Sequence, residues 1–176
     1  SENLLYVGAQ LTKRQGTLLN YEGTVQIGLV GPAAGELKAD GNVTTRIKFL
    51  GDTVRLKGYG YFSNTTAPYL MNNFVSNHFM WKNDFGKTRR LRFGGVLDIP
   101  HTSTNIDVGV ENVQNMIYFN DQCLPMQAGG SVQVLSARLQ QDFRFRALNW
   151  RNTVIYQKSS DESVLPLPQL AIYSNL

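Results

Sequence analysis

Cysteine, histidine, charge and long apolar runs are all scarce in this chain, and each scarcity removes a class of protein. The one cysteine, Cys123, excludes a disulfide within the chain and reads as a plain loop residue. The two histidines, His78 and His101, have no second ligand at metal-binding spacing, and no His-Glu-x-x-His run, paired-cysteine motif or calcium loop is present. His78 reads as a strand-face residue and His101 as a turn residue. No Gly-x-Ser-x-Gly elbow marks a nucleophile. Gly31 and Gly129-Gly130 sit in turns with no helix pattern after them, so no phosphate loop is expected. The residues call for no cofactor and no metal, and an enzyme is the least supported class. No stretch approaches the roughly 20 apolar residues of a membrane helix. No leader segment is seen; for an exported protein it is expected to have been removed.

Charged residues make up 17% of the 176 residues, where roughly a quarter is usual. Lys and Arg number 17 against 13 Asp and Glu, a net charge of +4. A surplus this small, spread along the chain and without a basic run interleaved with aromatics, argues against a nucleic-acid groove. What the chain does have is 16 Gly, 8 Tyr and 9 Phe, the composition of long strands joined by turns rather than of a disordered segment. No linker divides it, so a single β-domain over 1–176 is expected.

Residues 37–62 set the pattern. Leu37, Ala39, Val43, Ile47 and Phe49 alternate with Lys38, Asp40, Asn42, Thr44, Arg46 and Lys48. After a turn at Gly51-Asp52, Val54, Leu56 and Phe62 alternate with Arg55, Lys57, Tyr59 and Tyr61. Successive strand side chains point to opposite faces, so each run has one apolar and one polar, largely basic face. Both are about twice the usual strand length. The rest repeats the theme: strands are expected at 4–11, 20–29, 77–85, 89–99, from 105 onward, 131–146, 150–157 and from 170. A bulge near Asn112 is expected where the apolar phase shifts to Val113, Ile117 and Phe119, and a turn near Leu148-Asn149. Pro32, Pro68, Pro100, Pro125, Pro166 and Pro168 all fall at breaks between these runs. That gives nine or ten strands and no helix, an all-β antiparallel up-and-down meander forming part or all of a β-barrel.

Such strands fit two arrangements. In a soluble barrel or sandwich the apolar face packs inward; in a membrane barrel it faces lipid and the polar face lines the lumen. Three features favour the membrane. The strands reach the roughly 9 to 11 residues that a tilted strand needs to cross a bilayer. Aromatics gather near strand ends, as in Tyr21, Phe49, Phe62, Trp81, Phe85, Tyr118, Phe119, Trp150 and Tyr156. Turns at 13–17, 30–36, 50–52, 63–76 and 84–87 alternate short and long, a rhythm that is lost after Asn120. For the soluble arrangement the reading is a cell-surface domain binding a glycan or another ligand on exposed aromatics such as Trp81, Tyr69 and Phe74.

Residues 76–85, 108–120, 159–168 and 172–176 resemble segments of the putative porins of Bacteroides-type bacteria, a likeness that covers most of residues 40–176. The resemblance implies an outer-membrane β-barrel of a Gram-negative cell envelope, surrounded by lipid and passing small polar solutes by passive diffusion. Members of that family are much longer, and the terminal aromatic of many outer-membrane barrels is missing here, so an internal fragment is expected. Its open sheet edges would have to be covered, or paired with another copy in a homo-oligomer.

The basic face is then the functional lead. Arg46, Lys48, Arg55, Lys57, Arg90, Arg92, Arg144 and Arg146 share the polar phase of their strands, against Glu22, Asp40, Asp98, Asp107, Glu111 and Asp142. In a porin lumen this surplus favours anionic solutes; on a soluble sheet it is a solvated face.

Overall fold

The computed structural model describes residues 3–16, 18–49, 51–146 and 148–176; Thr17 and Leu50, expected in turns, and the Phe49 side chain, expected among the end aromatics, lie outside the described residues. Nine strands form one antiparallel sheet. They are β1 (Leu5–Lys13), β2 (Leu19–Val30), β3 (Leu37–Phe49), β4 (Asp52–Thr65), β7 (Thr88–Ile99), β8 (Thr104–Gln114), β11 (Ser131–Phe145), β12 (Leu148–Ser159) and β13 (Leu170–Asn175). They lie side by side in chain order, each strand paired antiparallel with the one before it. The sheet does not close on itself, and β1 and β13 are its edges. Two small hairpins stand apart from it, β5 (Asn73–Val75) with β6 (Met80–Lys82), and β9 (Ile117–Phe119) with β10 (Pro125–Gln127). The short helix α1 (Tyr69–Asn72) precedes the first hairpin.

One end of the sheet carries the tight connections and the other the long ones. At the first end β1 joins β2, β3 joins β4, β7 joins β8 and β11 joins β12; at the second the chain reverses at 31–36, 66–87, 115–130 and 160–169. The alternation of short and long turns therefore continues past Asn120. It was hidden in the sequence because the β9–β10 hairpin interrupts the strand pattern there.

Three expected elements are placed differently. The aromatic run 77–85 is not a strand of the main sheet; only Met80–Lys82 is extended, and it folds back on Asn73–Val75. Ser76 makes that turn, its amide donating to the Phe79 carbonyl at 2.8 Å, and His78 lies in the bend rather than on a strand face. No bulge forms at Asn112. The β8 ladder runs without a shift from Thr104 to Gln114 against both neighbours. Asn115 then ends it with φ of 54°, a left-handed conformation that asparagine tolerates better than most residues. Ile117 and Phe119 belong to the separate hairpin, and Val113 stays in the polar phase. The last short turn begins at Arg146, with φ of 51°, and Leu148 and Asn149 already pair with Phe145 and Arg144.

The sheet has almost no core of its own. Val113 and Val132, directly opposite one another, are 4% and 2% exposed, and with Ala33 and Ala67 they gather at the long-loop end. The apolar face is largely bare: Phe93 is 55% exposed, Val108 46% and Leu139 43%, while Val54, near the short turns, is buried. Among the described residues no second layer covers it, so the apolar-inward packing of a soluble sandwich is not the arrangement found. Covering a side chain of this size with an apolar phase is worth about 1.5–3 kcal/mol, and the face repeats it on every strand.

Candidate functional site: the polar face of the sheet

The cross-strand register places the polar residues in rows. One row runs Asp40, Tyr61, Arg92, Glu111, Val134 across β3, β4, β7, β8 and β11; the next runs Asn42, Tyr59, Gly94, Gly109, Ser136. Two rows further toward the short turns come Arg46, Arg55, Asp98 and Asn105. Arg46, Lys48, Arg55, Lys57, Arg90, Arg92 and Arg144 all occupy strand positions of this one face. Arg146 does not belong to a ladder; it is exposed in the turn after β11.

Four arginines of the face are matched, Arg90 and Arg92 toward the long loops and Arg55 and Arg151 toward the short turns. Arg90 donates from Nε to Glu111 Oε1 at 2.9 Å and holds the same oxygen from Nη2 at 2.8 Å. Arg92 Nη1 lies 3.9 Å from the other Glu111 oxygen, and its guanidinium sits 5.6 Å from the centre of the Tyr59 ring. Asp142, on β11, accepts from Arg151 Nε and Nη2, each at 3.0 Å. Asp98 takes Arg55 Nη1 at 3.3 Å, and Asp107 accepts the Tyr59 hydroxyl at 2.8 Å. Among the described residues, Arg46, Lys48, Lys57, Arg144 and Arg146 stand within ion-pair distance of no carboxylate.

Two features of the face carry no sequence motif. Tyr59 lies across β7, in the space that two glycines leave open. A Cβ on Gly94 would stand 2.5 Å from the Tyr59 hydroxyl oxygen, and one on Gly109 would stand 2.7 Å from it. An aromatic covering cross-strand glycines in this way restores the packing they lack. The register is the signal that could have found it, since Tyr59 pairs with Gly94 and Gly94 with Gly109. The second feature is Glu36, 7% exposed. Its carboxylate accepts the Tyr6 hydroxyl at 2.7 Å and the Thr66 amide at 2.8 Å. It thereby joins β1, the start of β3 and the loop after β4. Lys87 Nζ, donating to the Ala34 carbonyl at 2.7 Å, ties the far end of that loop to the same place.

The long loops are packed on each other. Trp81 stacks on Phe74 at 4.6 Å and meets Phe119 edge-on at 6.3 Å, and its Nε1 donates to the Leu70 carbonyl at 2.9 Å. Gln127 donates to the Gly86 carbonyl at 2.9 Å and accepts from the Gly86 amide at 3.0 Å, which joins the two loops. Trp81 and Phe74 thus cover one another rather than offering an open aromatic platform; Tyr69 remains exposed on α1. Among the described residues, no three His, Cys, Asp or Glu side chains gather in metal-binding geometry.

Comparison with curated proteins and with solved structures returns no match. The family model described as Putative porin matches residues 1–176, the whole chain.

Proposed function

Because the chain belongs to the putative porin family, we propose that its sheet is wall of an outer-membrane channel in a Gram-negative envelope, admitting small polar solutes by passive diffusion and favouring anions. The observation that carries this is the contrast between faces: an uncovered apolar face, and a polar face on which several cations have no carboxylate partner. The apolar face meets lipid and the polar face lines water. Short turns lie on the periplasmic side and long loops outside, the usual arrangement of such barrels. No bond is made or broken. The solute crosses because water and fixed charge replace its hydration along the wall, and a net positive wall raises the local concentration of anions.

Orientation is tested with the two tryptophans. Trp150 lies on the apolar face, 40% exposed, and Trp81 in the loop hairpin. With Trp81→Phe, brominated lipid is expected to quench the remaining fluorescence; with Trp150→Phe it is expected to leave it largely unchanged. Equal quenching, or none in either variant, rejects the orientation. Selectivity is tested in planar bilayers under a salt gradient, where the reversal potential is expected to have the sign of anion preference. Cation preference, or no conductance, rejects the channel reading.

A further inference from the structure

We propose that the β3–β4 hairpin carries an oxyanion-binding station at the short-turn mouth, built by Arg46 and Arg55 with Lys48 and Lys57 beside them, for the phosphate group of small solutes. The proposal rests on the reading that the polar face is wet and reachable from that mouth.

The register makes the case. Arg46 and Arg55 are directly opposite one another on one face. Side chains so placed root roughly 5 Å apart, and like charges there repel. Lys48 follows Arg46 on β3 and Lys57 follows Arg55 on β4, opposite Thr53 and Thr44. The grid of three cross-strand pairs therefore holds four cations and two hydroxyl donors, with stems within about 5–8 Å of their neighbours. Its one matched acid is Asp98, on the Arg55 side at 3.3 Å. Asp52, at the end of the hairpin, lies 3.7 Å from His101 Nδ1. The β7 neighbour of Lys57 is Val96, so an acid is missing where one could have stood.

The other half of the face shows how this sheet treats arginine when no ligand is wanted. Arg90 and Arg92 share Glu111, and Arg92 also has the Tyr59 ring. Three of the cations without a carboxylate, Arg46, Lys48 and Lys57, cluster on this one hairpin, whereas Arg144 lies apart on β11. Asp98 meets Arg55 and leaves Arg46 without an acid. Two arginines opposite one another in the ladder, flanked by lysines and threonines, suit an anion with two charges and several acceptor oxygens. Free phosphate and a phosphate monoester share that group.

The test is thermal unfolding of the detergent-solubilised protein in chloride, in inorganic phosphate and in glycerol 3-phosphate, at equal ionic strength. Both phosphates are expected to raise the unfolding midpoint above chloride. A rise with inorganic phosphate alone assigns the station to the free ion; a rise with both extends it to esters. Arg46→Gln is expected to weaken the phosphate response about tenfold while leaving the chloride midpoint unchanged or higher, because it also removes the repulsion with Arg55. A merely structural arginine would lower the chloride midpoint instead. Lys158→Gln, on the opposite face, keeps the full response. The absence of a phosphate-specific rise in the unaltered protein overturns the proposal, as does an undiminished rise in Arg46→Gln. Anion-selective conductance without a phosphate response removes the station and leaves the channel. A phosphate response without conductance does the reverse.

Discussion

The Tyr59 hydroxyl donates to Asp107 across an intervening strand: Tyr59 is on β4, Asp107 on β8, and the 2.8 Å bond passes over Gly94 of β7. Three strands are held by one side chain lying flat on the polar face. A Cβ at Gly94 would stand 2.5 Å from the Val108 carbonyl oxygen as well as 2.5 Å from the tyrosine oxygen, so a rotamer change cannot relieve it. Gly94→Ala is therefore expected to destabilise by about 1–3 kcal/mol, the usual range for overpacking. Tyr59→Phe, which loses only the hydroxyl bond, should cost about 1 kcal/mol. Chemical unfolding in detergent measures both, and the order of the two variants is the check.

The bare apolar face makes a positional prediction. Val108→Arg places a charge at the middle of β8 on the face assigned to lipid, where about 2–4 kcal/mol is expected at the bilayer midplane. Thr24→Arg places the same charge on the polar face, beside Asp40, and should be tolerated. Folding yield into vesicles compares them. Equal yields would remove the distinction between faces.

Glu36 is the only described side chain that accepts from both Tyr6 and the Thr66 amide. Glu36→Ala leaves that amide without a partner at the mouth of the loop 66–87, an omission worth about 1–3 kcal/mol where water is excluded. Hydrogen exchange at Thr66 is expected to speed up about tenfold or more, with the β8–β11 ladder unchanged. Equal exchange in the variant would show that the loop is held elsewhere.

Acidification should weaken the loop between β12 and β13. Asp161 is held below the ordinary carboxylate range, chiefly by the Ser163 hydroxyl and also by the amides of Ser163 and Val164. A lowered carboxylate stabilises the folded loop above the unfolded value, near pH 3.9, and that contribution fades as pH falls through the lower folded value. Ser163→Ala should move the Asp161 titration back toward the ordinary range. A carboxyl-carbon NMR titration reads the shift directly, and an unmoved midpoint would discount the hydroxyl.

Much of this was legible in the sequence, for a reason that also sets its limit. Alternation with a period of two is visible wherever one face is apolar and the other polar, so the hairpin 37–62 and the strand positions of Arg46, Lys48, Arg55, Lys57, Arg90, Arg92 and Arg144 could be read directly. The same period misled at 77–85. Phe79 and Trp81 alternate equally well when a short hairpin packs its aromatics against a neighbouring loop, and hydrophobicity alone does not say which sheet a strand joins. Arg146 continued the phase of β11, but its backbone turns at φ of 51°. Partners were harder still. That Glu111 serves two arginines, or that Glu36 is buried between Tyr6 and Thr66, depends on register and on contacts between residues 30 apart. Neither leaves a trace in local pattern.

The two edge strands have a consequence for assembly. β1 and β13 both run from the long-loop end to the short-turn end, as the first and last of nine strands joined by eight reversals must. Joined to one another they would make a parallel seam. A ring of wholly antiparallel strands that includes this sheet must therefore set an odd number of additional strands between its two flanks, bringing the total to the even parity of bacterial barrels. A second copy standing in the same direction in the membrane does not provide them, because its own flanks point the same way.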